Sequence, residues 1–345
     1  MRYTLIIDKG DIVEQEKLIK ILDSFKNKKV MVLGDMIADE YIFGKTTRVS
    51  REAPVLILKY DSKEIIMGGA ANSVHNIHAL GGRVFPVGVI GQDSTGRHML
   101  KIMREMKIPT ARLITQMDRP TITKTRIMAG GYHTARQQVI RIDKEADLPI
   151  SQECEGRIIR ILTAHIPDMD ALLVSDYNGG LITERMRDIL LGLVHKYHKP
   201  LVVDSRFHIM KYEGATLVTP NETEAAPAVG MKLDGAKGIK EIGQRLLEKI
   251  QGKGVLITQG RNGMTLFEGK NKITHIDIVG SDEAVDVTGA GDTVASCATL
   301  ALAANASLQE AACLANYAAG VVVMKRGTAV VAVNEIKGLM EKTQK

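Results

Sequence analysis

Tryptophan is absent from the chain, and aromatic residues make up only 4% of it. Aliphatic side chains must therefore fill the core, which suits a parallel sheet covered by helices on both faces. Cysteine is almost as scarce. Cys154, Cys297 and Cys313 cannot all pair and show no C-x-x-C spacing, so a disulfide scaffold is excluded and reduced thiols are expected. No apolar run approaches the roughly 18 residues of a membrane span. The opening MRYTLIIDKGDIVEQEK sets acidic residues close behind a short apolar run, unlike a signal peptide. A cytoplasmic protein with no membrane partner is expected. A dominant charge is lacking too: 46 Lys and Arg face 40 Asp and Glu, for a formal +6. The cations are scattered, with no dense block interleaved with aromatics, so nucleic acid is not an expected partner. The small positive surplus suits anionic small molecules, although ordinary solvated lysines give the same sum.

What is present is an alternation of strand and helix patterns. Apolar runs at 30–35, 84–90, 171–176, 200–205, 215–220 and 254–259 read as strands, and helical spacing lies between most of them. That order implies right-handed crossovers and an α/β fold with a parallel sheet. Residues 11–27 and a Met-rich stripe at 99–106 carry helical spacing, and two Ala-rich helices are expected at 292–304 and 308–324. The Thr- and Ile-rich run PTITKTRIMAGGYHTARQQVIRID reads as a hairpin. No low-complexity linker or repeat divides the chain, so residues 1–345 are expected to form one body. Segments of about 36–66 and 110–142 are expected to build a small β-rich lid on it.

The most informative segment is Val285-Asp-Val-Thr-Gly-Ala-Gly-Asp-Thr-Val294. Gly289, Ala290 and Gly291 let a backbone approach a phosphate closely, and the helix that follows offers free N–H groups and a positive dipole end. Asp292 in such a place ordinarily serves as a helix cap or first-turn residue, worth about 1 kcal/mol. Its alternative role is chemical. A carboxylate there can accept the proton of an attacking hydroxyl while the 289–291 amides stabilise charge on a moving phosphoryl group. Polar residues and glycines also close the other strand candidates: Gly34-Asp35, Ser175-Asp176, Asp204, Asn221 and Gly260. In open parallel sheets ligands sit at those carboxyl ends, which gathers these residues into one expected cleft.

The run TGAGDT resembles the C-terminal signature of ribokinase-like (PfkB) sugar kinases. Gly68, Gly69, Ala70, Asn72, Ala79-Leu-Gly81, Gly88, Gly91, Asp93 and Gly96 resemble the N-terminal signature. Asn221-Glu-Thr-Glu224 resembles the Asn-x-x-Glu motif at the nucleotide and Mg²⁺ site, and Thr258-x-Gly260-x-x-Gly263 the glycine turn facing the ATP phosphates. The resemblance implies a ribokinase-like three-layer fold with ATP and Mg²⁺ as cofactors, Asp292 as catalytic base, Glu224 acting on Mg²⁺ through water, and Asn316 near the adenine.

A narrower resemblance is to D-glycero-β-D-manno-heptose-7-phosphate kinases. It rests on Gly34-Asp35, Asp39, Arg48-Val-Ser-Arg-Glu-Ala-Pro-Val55, Thr121-Ile-Thr-Lys-Thr-Arg126, Gln137-Gln138, Arg141-Ile-Asp143, Ser175-Asp-Tyr177 and the tail from Ala315 to Thr328. It implies phosphorylation of the heptose phosphate at O1 to the 1,7-bisphosphate, on the route to ADP-heptose. Bifunctional relatives add a nucleotidyltransferase; no His-x-Gly-His motif occurs here, so the kinase half alone is expected. Three departures bear on the acceptor: Asn178-Gly-Gly180 lacks the Lys that usually follows Ser-Asp-Tyr, Asp204-Ser-Arg206 replaces Asp-Pro-Lys, and the insertion 129–135 is long.

The same resemblance makes Asp35, Asp39, Gly68, Gly69, Asn72, Lys124, Arg126, Arg141, Asp176 and Arg206 the expected sugar-side residues. Several of the expected site residues have a plainer reading. Asp35 and Asp39 can be turn acids, Asn72 a helix cap, the lid cations a solvated guard on an edge strand, and Asn316 a satisfied interior amide. His75/His78 and His195/His198 have i,i+3 spacing but no third ligand, so no metal site is expected there. Exposed β-edges of a lid tend to pair, which makes a homodimer through the lid the expected assembly. Rival readings are a hexose, hexose phosphate or nucleoside acceptor on the same scaffold, or a catalytically silent, sugar-sensing relative. A dehydrogenase is disfavoured because no G-x-G-x-x-G follows the first strand.

Overall fold

The structure is a computed structural model that describes residues 13–130, 137–146, 149–233, 235–269, 272–280 and 284–343. Its main sheet has nine strands. In spatial order they are β13 (Lys272–Ile276), β12 (Met264–Glu268), β11 (Gly254–Thr258), β10 (Leu217–Val218), β9 (Leu201–Ser205), β8 (Ala171–Asp176), β1 (Lys29–Gly34), β4 (Arg83–Gly91) and β5 (Leu113–Gln116). From β11 to β5 every neighbouring pair is parallel, and β12 and β13 add an antiparallel edge. Alternation along each strand feeds two separate cores. Val30 and Val32 join one, Met31 and Leu33 the other, and Leu217 and Val218 divide in the same way.

The first core is closed by α1 (Gln15–Asp23), α2 (Ala70–Ala79), α3 (Ser94–Glu105), α8 (Ala290–Ala303), α9 (Leu308–Val322) and α10 (Val333–Lys342). The second is closed by α4 (Gln152–His165), α5 (Glu184–Lys196), α6 (Glu222–Ala228) and α7 (Gly235–Ile250). Helices on both faces of a mostly parallel sheet are the three-layer arrangement anticipated for this chain. Met99 and Met103 of the methionine stripe are fully buried in the first core.

A second sheet has the order β3 (Leu56–Gly69), β2 (Met36–Val49), β6 (Thr123–Gly130), β7 (Gln137–Lys144). Only Asp35 separates β2 from β1, so this sheet springs directly from the carboxyl edge of the main one. Within the stretch 110–142 expected to build the lid, Leu113–Gln116 instead forms β5, which pairs in parallel with β4 and extends the body. The hydrophobic side of Leu113-Ile-Thr-Gln116 is satisfied by that edge. Residues 131–136 of the long insertion, and residues 11–12 of the first expected helix, lie outside the described residues.

Candidate active site

The start of α8 lies at the carboxyl edge of the main sheet. Gly289 adopts φ +79°, and a Cβ there would meet Asn72 Nδ2 at 2.6 Å, so only glycine fits this entry to the helix. The anticipated row of bare amides is interrupted, because the Ala290 N–H turns back to Val287 O at 3.2 Å. Ala290 and Gly291 nevertheless line the cleft. Asp292 occupies the first turn but does not cap it. Its Oδ2 accepts from Asn72 Nδ2 at 2.8 Å, and its Oδ1 accepts from the Tyr177 hydroxyl at 2.9 Å and from Ser73 Oγ at 3.4 Å. Burial raises this carboxyl to about 6 even though these donors favour its ionised form.

The turn after β8 is fixed from both sides. Asp35 Oδ2 accepts the Tyr177 and Gly179 amides at 2.9 and 3.0 Å, and burial pushes its carboxyl to about 6. Among the described residues Asp35 Oδ1 has no hydrogen-bond partner. Asp176 takes the Asn178 amide on one oxygen, and the Ser205 and Tyr212 hydroxyls on the other. Its charge is thereby committed to the framework of the turn.

The lid brings cations to the same place. Arg126 Nη1 lies 2.6 Å from Asp39 Oδ1, and Thr328 Oγ1 donates to Asp39 Oδ2 at 3.1 Å, which ties the lid to the C-terminal tail. Gly68 packs against the Asp39 carboxylate, where a Cβ would collide with it, and Gly69 enters α2 at φ +53°. Lys124 Nζ lies 5.2 Å, and Arg206 Cζ 4.5 Å, from the centroid of the Tyr177 ring. Burial, then the Arg206 charge, lowers the Lys124 ammonium below its usual range. Arg141 stands opposite Arg126 on β7 but spends its guanidinium on Asp143, through bonds of 2.8 and 2.9 Å.

A cleft of about 430 Å³ opens on the other side of the α8 start. Asn221, Thr258, Gly260, Gly263 and Asn316 line it. Asn221 and Glu224 form a reciprocal capping box: Glu224 N donates to Asn221 Oδ1, and Asn221 N to Glu224 Oε2, both at 3.0 Å. Asn316 Nδ2 donates to Asp277 O at 2.6 Å, so the interior-amide reading and the cleft-lining one hold together.

The family description "pfkB family carbohydrate kinase" matches residues 27–334. The chain belongs to the pfkB family of carbohydrate kinases. It is therefore an ATP-dependent sugar kinase. Among curated proteins it is 36% identical over 317 residues to "Bifunctional protein HldE" of Helicobacter pylori strain P12, and 37% identical over 318 residues to that of Desulfatibacillum aliphaticivorans. Each match covers 92% of this chain but 67% and 64% of those proteins, so the chain spans about two thirds of their length. Phosphofructokinase-2 from Escherichia coli in complex with potassium superposes with a TM-score of 0.73 at 17% identity, covering 92% of this chain and 100% of that one. Arabidopsis thaliana ribokinase complexed with ribose and ATP gives 0.68 at 18% identity, covering 91% and 98%. At that identity both likenesses speak for the fold.

The pfkB kinase reading calls for a hard cation near the phosphates. Among the described residues no three His, Cys, Asp or Glu side chains converge to ligate one directly, so such an ion would be held largely through water beside Glu224 and Asp204. Asp204 is held well above the usual carboxylate range by burial and by the Asp292 and Glu224 charges; burial also raises Glu224. A divalent cation offered these oxygens would relieve that repulsion. The sequence places Asp204 in the expected cleft as a strand-end acid without giving it a role, while Tyr177 and Thr328 appear there only within the quoted runs Ser175-Asp-Tyr177 and Ala315 to Thr328.

Proposed function

We propose that this kinase transfers the γ-phosphoryl group of ATP to O1 of D-glycero-β-D-manno-heptose 7-phosphate, giving the 1,7-bisphosphate. One observation carries the reading: Lys124 of the lid and Arg206 of the body meet over the Tyr177 ring, whose hydroxyl touches Asp292. A base for the accepting hydroxyl thus stands beside cations matched to a second, pre-existing phosphate. A neutral hexose or nucleoside gives those cations nothing to bind. The resemblance in Ser175-Asp-Tyr177 and Arg141-Ile-Asp143, and the relatives named HldE, support the same substrate class.

In the proposed reaction Asp292 accepts the hydroxyl proton as the sugar oxygen bonds to the γ-phosphorus. The bond from that phosphorus to the β–γ bridging oxygen breaks, and ADP departs. The Gly291 region of α8 faces the moving group with the positive end of the helix dipole. Asp39, Asn72 and the unpaired Asp35 Oδ1 offer acceptors and donors to sugar hydroxyls, with Arg126 and Arg141 at the lid edge. Glu224 would hold Mg²⁺ through water, with Asp204 facing the same space; when bound, the ion supplies positive charge to the phosphates. We read the chain as a single kinase unit that pairs with a second copy through its lid.

Turnover should be measured with Mg·ATP and heptose 7-phosphate, fructose, fructose phosphates, ribose and adenosine in parallel. Heptose 7-phosphate is expected to give the highest kcat/KM, and replacing Lys124 by Ala should raise its KM. Turnover of adenosine with no phosphorylated sugar accepted would overturn the substrate reading.

A further inference from the structure

We propose that Tyr177 is a positioning residue for the catalytic base: its hydroxyl fixes the orientation of the Asp292 carboxylate. This rests on the reading of Asp292 as base. The backbone around Tyr177 is pinned by two carboxylates. The Tyr177 amide is bonded to Asp35 Oδ2 at 2.9 Å, and the next residue, Asn178, takes a left-handed φ of 62° with its amide on Asp176 Oδ1 at 3.0 Å. The turn therefore presents the phenol in one direction. At its tip the hydroxyl donates to Asp292 Oδ1 at 2.9 Å. Burial, followed by the Asp292 and Asp204 charges, drives the phenol well above its usual range, so at neutral pH it remains a neutral donor.

The bond leaves room for chemistry. A carboxylate offers about four lone-pair sites, and Asp292 uses three, two of them on Oδ1. Oδ2 carries only the Asn72 bond, so an accepting hydroxyl can approach Oδ2 without displacing Tyr177. With Asn72 on one oxygen and Tyr177 on the other, the carboxylate plane is fixed by donors from two different elements. The Lys124 and Arg206 cations over the ring make that orientation sensitive to what the lid and the β9 end are doing.

The groups facing Asp292 are Tyr177, Asn72 and Ser73 as donors, Asp39 and Asp204 as like charges, and Arg206 as a cation. Removing the hydroxyl alone, as Tyr177→Phe, withdraws one donor to the ionised form and leaves the rest in place. Turnover should fall about 10-fold with both KM values within about 2-fold, the loss of one charge-assisted bond made to the base. The acid limb of kcat/KM should move up by about half a unit or more. Placing 3-fluorotyrosine at 177, a stronger donor, should move that limb down. A purely structural role predicts a lowered melting temperature with the limb unmoved in both variants, and that result would overturn the proposal. Asp292→Asn, run beside them, separates the two readings. If it abolishes turnover while Tyr177→Phe behaves as wild type, Tyr177 falls and Asp292 stands; if Asp292→Asn turns over normally, both fall.

Discussion

At the scale of single residues, the base and the cost of holding it are the same physics. Asp292 is 3% exposed and carries a carboxyl at about 6 rather than the usual 3.8. The folded protein therefore binds this proton more tightly than the unfolded chain does. Stability from this group is present below about pH 4 and is lost as pH rises toward 6, by up to about 3 kcal/mol. Activity runs the other way, because the base must be ionised, so kcat/KM should fall as pH drops through about 6. Asp292→Asn should cut turnover by about 10²-fold or more while sparing ATP binding. Its stability relative to wild type should also be more favourable at pH 7 than at pH 4, measured as the difference in urea midpoints. A gap independent of pH would mean that the carboxylate is not destabilised by its surroundings. Asp35, also raised to about 6 by burial, remains in both proteins and cancels in that difference.

Elements explain which parts of this arrangement could be read in advance. The runs Val30–Leu33, Ala171–Val174 and Gly254–Ile257 are apolar throughout because helices cover both faces, and such runs are visible in a sequence. The β12–β13 edge was not singled out: it is short, and its partner is a strand already assigned elsewhere. Leu113–Gln116 joins the main sheet although its sequence reads equally well as lid, because nothing local tells a strand which sheet it will join. Motif residues were legible as types but not as roles. Asp176 and Tyr177 are adjacent, yet the carboxylate turns into the framework and the phenol turns to the base, a distinction set by the turn geometry. Glu224 closes a capping box with Asn221, and the proposed cation role falls on that same residue. The glycines of α8 separate the two demands on that helix start. Gly289→Ala forces a left-handed backbone onto a side chain and crowds Asn72, so a loss of about 1–2 kcal/mol in stability is expected, with turnover falling through the Asn72–Asp292 bond. Nothing lies within 4 Å of a Cβ at Gly291, so Gly291→Ala should keep its melting temperature and raise the KM for ATP. Equal melting temperatures for the two variants would contradict this division.

Across the whole molecule, the lid turns cations toward the site and leaves apolar side chains exposed on its edge strands. Arg126 and Arg141 are cross-strand partners, and Arg126 reaches Asp39, so that face looks toward the site. Alternation then sends Ile140 and Ile142 to the opposite face, where they are 51% and 55% exposed. Tyr60 and Leu56 on the other edge strand, β3, are 65% and 47% exposed. Two edge strands bearing apolar side chains form a surface that a second copy of the lid can cover, burying the isoleucines while the arginines stay at the site. Replacing Ile140 and Ile142 together by Asp should convert a dimer to a monomer in sedimentation velocity at micromolar concentration. In a chain that is already monomeric, such exposed substitutions change stability by only about 0.5 kcal/mol each and leave the sedimentation coefficient unmoved. Because Lys124 and Arg126 reach the site only while the lid keeps its place, the monomeric variant should also show a higher KM for the sugar phosphate than for ATP, each relative to wild type. A wild-type protein that sediments as a monomer, or a monomeric variant with unchanged sugar affinity, would separate the lid's catalytic role from any role in assembly.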